Sequence, residues 1–171
     1  MKKSFLITPF LLLIFGCATD NLDKEVASIS YELHQSSDFN FEGKATFNQL
    51  NNSTVELLIQ LTGERSDLPY YYSAHLHFGS LDSVDAGIAH HLNPVDSRTL
   101  QSRTILGTLS DGSRLAFNDI ENFDGHIKVH LADQGPDYQV ILVSGNIGTN
   151  DNSLAAFNTA NIEICSPYYN Q

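Results

Sequence analysis

The sequence predicts an all-β domain, a Greek-key β-sandwich or flattened barrel carrying one short helix. Three observations lead there. Apolar and polar residues alternate with period two through most of the 171-residue chain. Turn chemistry interrupts that alternation at short intervals, and a single segment has helical spacing.

The first sixteen residues stand apart from the domain. Lys2 and Lys3 make a basic start, and residues 5–15 are apolar apart from Thr8 and Pro9. Such a run is too short to span a bilayer but fits the core of an export signal. It ends in "LIFGC", which resembles the lipobox of bacterial lipoproteins, where cleavage precedes the cysteine. Cys17 would then carry the lipid, and its acyl chains would hold the protein to a membrane. An ordinary secretory signal with an incidental cysteine is the alternative. Both take the protein out of the cytoplasm. Residues 17–35 read as a polar tether, and residues 36–166 as the folded domain.

Strands are expected in order along that domain. In "FNFEGKATFNQL", 39–50, Phe39, Phe41, Gly43, Ala45 and Phe47 share one face. "NNS" turns the chain, and "TVELLIQLT", 54–62, sends Val55, Leu57, Ile59 and Leu61 inward, completing a hairpin. Further strands are expected at 70–79, 87–92, 103–109, 126–131, 138–144 and near 160–165. "SDG", "QGPD" and "GTNDN" supply turns between them. The helical exception is "SRLAFNDIENFDG", with Leu115, Ile120 and Phe123 in step and Gly125 as the stop.

Charge narrows the partners. Without Lys2 and Lys3, nine basic residues become seven against twenty acidic ones, a net near −13. That surface repels nucleic acid and anionic headgroups, so no nucleic-acid partner is expected. Only Cys165 remains once Cys17 is lipidated, so no intramolecular disulfide is available. On a terminal strand Cys165 reads as a small buried apolar residue.

Chemistry concentrates in histidine. In "YYYSAHLHFGS", Tyr70, Tyr72, Ala74, Leu76 and Phe78 point inward, which turns His75 and His77 outward. Two residues on one strand face lie about 6.5–7 Å apart, a span that ligands of one ion can close. "GHIKVHL" repeats the pattern, with Ile127, Val129 and Leu131 inward and His126, Lys128 and His130 outward. "AGIAHHLNP" adds His90 and His91, one of which must face outward. His34 lies apart and reads as plain surface. Neutral imidazoles suit copper or zinc, and each wants an acceptor behind it to fix its tautomer. Asp82, Asp85, Asp124 and Asp133 are near enough in sequence to serve. The competing reading makes the histidines ordinary solvent-facing residues, and a Lys128 cation beside them would disfavour a bound dication.

"AHLHFG", "HLNP", "DGHIKVHL" and "SGNIG" follow the order of the histidine segments of copper-zinc superoxide dismutases. Over roughly 39–148 the chain more closely resembles the CHRD domain of chordin and of bacterial secreted lipoproteins. The resemblance implies a dismutase-like Greek-key sandwich, with His75, His77, His91 and His130 at the positions that ligate copper in a dismutase. The departures are specific. "VDSRTLQSRTILGTLSDG" contains no histidine for a zinc loop, and Thr149 and Asn150 follow "GNIG" where a dismutase has its guiding arginine. The expectation is therefore a lipid-anchored, non-catalytic envelope protein, a binding or interaction module that holds copper or zinc. No catalytic residue is assigned. A copper-only dismutase-like enzyme is the alternative, and a purely structural lipoprotein without metal is the third reading.

Overall fold

The computed structural model describes residues 27–51 and 53–163, so Cys17 and Cys165 lie outside the described residues. Eight strands form the fold: β1 (Ser28–Gln35), β2 (Glu42–Asn51), β3 (Thr54–Thr62), β4 (Tyr71–Phe78), β5 (Ile88–Asp96), β6 (Gln101–Ile105), β7 (Asp124–His130) and β8 (Ile141–Gly148). They close into an antiparallel barrel in the order β1-β2-β3-β6-β5-β4-β7-β8. Consecutive strands β4, β5 and β6 lie side by side, and β7 returns beside β4, which is a Greek key. Pairing of His34 with Ser144 and Gln35 with Val143 seals β1 to β8. Every strand has a neighbour on both sides, although β5 meets β6 at the single pair Asp96–Gln101.

The alternating residues fill the barrel as the sequence implies. Ala45, Phe47, Val55, Leu57, Ile59 and Leu61 come from one hairpin, and Ala74, Leu76, Ile127 and Val129 from the facing side. All ten are buried, and burial of each large aliphatic or aromatic side chain is worth about 1.5–3 kcal/mol. Tyr72 joins this core while Tyr70 and Tyr71 stay exposed. Gly148 ends β8 at φ +68°, with the Phe123 carbonyl where a Cβ would stand, so only glycine fits there.

Several boundaries differ from the sequence reading. Ser28–Gln35 is a barrel strand, not tether: Ile29, Tyr31 and Leu33 alternate inward between polar neighbours, and β2 and β8 supply its hydrogen-bonding partners. Phe39 is exposed and precedes β2. The expected helix is a 3-10 turn, Phe117–Asn122, pinned by the buried Ile120. Tyr138 is not in a strand, because Pro136 and the Gly135 backbone (φ +73°) fold Pro136–Gln139 into another 3-10 turn, and β8 starts at Ile141. The last expected strand is replaced, as far as residue 163, by the 3-10 turn Thr159–Asn161, which Asn158 caps by accepting from the Ala160 amide.

A further difference positions the site. The outer face of β4, β7 and β8 is covered around His77, His126, Lys128 and His130, while Tyr71 at the start of β4 stays exposed. The segment 79–87, the Tyr138 turn and residues 149–163 lie over it. Gly79 and Ala86 carbonyls accept from His126 and His77, Tyr138 accepts from His130, and Glu163 accepts from Lys128. This wall of the barrel is therefore packed on both sides. Its inner side is apolar and its outer side is polar, with each side bonded in its own way.

Candidate metal centre

Antiparallel pairing explains why the histidines meet. His75 on β4 stands opposite His91 on β5 and Lys128 on β7, and His77 stands opposite His126. Partners directly across a ladder share a face, and so do residues two apart along one strand. His75, His77, His91, His126, Lys128 and His130 therefore share one outer surface, as the parity in the sequence requires.

Burial divides them. His75 is 6 % exposed, His77 1 %, and His126 and His130 are fully enclosed, whereas His91 is exposed. The expectation of solvent-facing imidazoles is thus corrected for all of them except His91, because the loops described above roof the sheet. His90 is half-buried and lines a separate cleft with Ile88 and Thr108. His34 is not plain surface: its Nε2 donates to the Asn152 carbonyl at 3.0 Å, and its ring packs 4.7 Å from that of Phe157.

His75, His77 and His130 each offer a ring nitrogen, and the three nitrogens lie within 4.8 Å of one another. This group can hold a metal ion. His91, the fourth residue anticipated from sequence, is not within that set, but its ring lies 5.0 Å from that of His75. The His75 ring is 5.3 Å from that of His130 and 5.9 Å from that of His77. With metal–nitrogen bonds of about 2.0–2.1 Å, two imidazoles on one tetrahedral ion have centroids roughly 5 Å apart. The spacing needs only modest side-chain adjustment.

Hydrogen bonds set the tautomers. His77 Nδ1 donates to Ala86 O at 3.2 Å, and His130 Nδ1 donates to Tyr138 O at 2.7 Å. A carbonyl only accepts, so these nitrogens carry the protons and each Nε2 keeps its lone pair. This is the support that metal-ligating histidines require. It comes from backbone carbonyls and not from the aspartates that proximity in sequence nominated. Asp82 and Asp124 instead act on His126 through their charge. His75 differs: its Nε2 lies 3.3 Å from Ser73 Oγ, while its Nδ1 is buried with no hydrogen-bond partner. Leaving such a group unsatisfied costs about 1–3 kcal/mol, and an ion would remove that cost.

Electrostatics keeps the donors neutral. Burial, reinforced by His130, His91 and Lys128, pushes His75 down to about 3. Burial with His126 and Lys128 takes His77 to about 2. His126 and His130 fall to about 4, again from burial first and Lys128 as the opposing cation. No proton competes with a metal for these nitrogens at neutral pH. The Lys128 ammonium is itself buried on this face, and it donates to the Glu163 carbonyl at 2.6 Å. It works against a bound dication, while the carbonyl draws it towards the roof.

Two neighbours complete the site. Tyr138 stacks on His130 at 4.5 Å and 3°, and His126 stacks on His77 at 4.7 Å and 1°. His126 was legible as a histidine of the same face. Tyr138 was not, since nothing in "QGPDY" says which strand the turn will cover. A cleft of about 420 Å³, lined by Tyr70, Tyr71, Ser73, His75, His91 and Asp133 among others, opens beside the group.

No family model matches the chain, nor does any curated protein or solved structure.

Proposed function

We propose that this chain is a lipid-anchored, CHRD-type protein of the cell envelope that binds one copper or zinc ion non-catalytically. Cys17 is the lipidation position, and His75, His77 and His130 are the inner ligands, with His91 beside them. The single observation that carries the metal reading is the convergence of three buried imidazoles, two of them (His77 and His130) with carbonyl-fixed tautomers and the third, His75, with an orphaned nitrogen. Such a donor set favours copper and zinc over calcium or magnesium, which take oxygen ligands.

A binding role fits better than dismutation. The chain has Thr149 and Asn150 after "GNIG" and a strongly acidic composition, so an anionic substrate would be repelled, not guided. Calorimetric titration of the chain with Cu(II) or Zn(II) at pH 7 should give one site per molecule. Heat no greater than dilution would remove the metal reading. The anchor is tested separately: Cys17→Ser should move the protein from the membrane fraction to the soluble one, and an unchanged distribution would count against lipidation.

A further inference from the structure

Resting on the metal-binding reading, we propose that His91 is the entry ligand of the site: with His75 it captures an ion at the cleft and passes it inward, without belonging to the final ligand set. The three inner histidines have no equal access to solvent. His130 lies under the stacked ring of Tyr138, and His77 lies against the segment whose Ala86 carbonyl it holds. Of the three, His75 lines the cleft, together with the exposed His91 and Asp133.

His75 touches both compartments. Its Nε2 faces Ser73, another residue of the cleft, while its Nδ1 is enclosed. His91 is its direct partner across the β4–β5 ladder, and the two rings meet edge to face at 5.0 Å and 89°. That centroid separation is close to the roughly 5 Å of two imidazoles on one ion, so chelation by the pair calls for rotation of the side chains and not for movement of the sheet. The carboxylate of Asp133 and the acidic surface concentrate cations at the mouth. A hydrated dication must shed water before it reaches enclosed donors. Exchanging the first waters for His91 and His75 at the surface divides that desolvation into smaller steps.

An entry ligand has a kinetic signature opposite to that of a permanent one. It lowers the barrier in both directions and leaves the equilibrium alone. Stopped-flow mixing of the native chain and of His91→Ala with Cu(II) at pH 7 measures uptake, and a chelator chase measures release. His91 is exposed, so the variant keeps the core intact. The expected result is at least a tenfold fall in both rate constants, with affinity within about threefold of native. Faster release with a matching loss of affinity would make His91 a permanent ligand and overturn the proposal while leaving metal binding intact. Unchanged uptake would also overturn it. Failure of the native chain to bind Cu(II) would overturn both this inference and the reading beneath it.

Discussion

Replacing His130 with glutamine is expected to weaken Cu(II) or Zn(II) binding at least about 100-fold while the barrel remains folded at neutral pH. Glutamine retains an N–H for the Tyr138 carbonyl and much of the imidazole volume, but it has no ring lone pair to give. Loss of an outer partner of a metal-bound histidine already costs about 10–100-fold in affinity, so loss of the ligand itself should cost more. His130 suits the test because it is fully enclosed, with the Tyr138 ring stacked on it. Competition titration against a chelator of known affinity provides the measurement. An affinity within threefold of native would remove His130 from the site.

Acid should destabilise the metal-free protein over a window set by the same histidines. Their native values lie near 2 to 4, below the ordinary 6.5 that applies once the chain unfolds. Between those limits the unfolded chain binds protons that the native chain refuses, so stability rises with pH there. The full contribution is present above about pH 6.5 and is lost as pH falls through the native values, near 4 for His126 and His130 and lower for His75 and His77. Each histidine contributes up to about 1.4 kcal/mol per pH unit inside the window. Two behaving this way would cost about 4 kcal/mol between pH 7 and pH 5. Four would approach the roughly 5–15 kcal/mol that holds an ordinary domain together. Urea unfolding of chelator-treated protein at pH 7 and pH 5 measures the difference, and equal midpoints would contradict the burial of these rings.

The barrel was legible because period-two alternation has one physical cause in every strand. Phe47 and Ala45, or Ile127 and Val129, must share a face whatever the loops do. The same parity put His75, His77, His126 and His130 together. What covers them was not legible. The acceptors of His126, His77 and His130 arrive from Gly79, Ala86 and Tyr138, and a partner of Lys128 comes from Glu163, thirty-five residues along the chain. Such contacts depend on where the loops land after closure. Loops that land on a sheet turn its outward residues into interior ones. The same limit hid β1, whose inward Ile29, Tyr31 and Leu33 are separated by serine and glutamate and gain meaning only beside β2. It also hid the aspartates' irrelevance as acceptors, since nearness in sequence says little about aim.

Parity also explains why His91 is the outlier of the four residues nominated from sequence. It stands directly across from His75, on the correct face, but at the margin of the roofed area. Position on the sheet chose it as a neighbour, and exposure separates it from the enclosed set.

X-ray absorption at the metal edge of the copper- or zinc-loaded protein tests the central claim most directly. Three imidazole nitrogens should appear at about 2.0–2.1 Å, and the count should drop by one on replacement of His75, His77 or His130 in turn. A first shell of oxygen, or an imidazole count indifferent to those three residues, would contradict it.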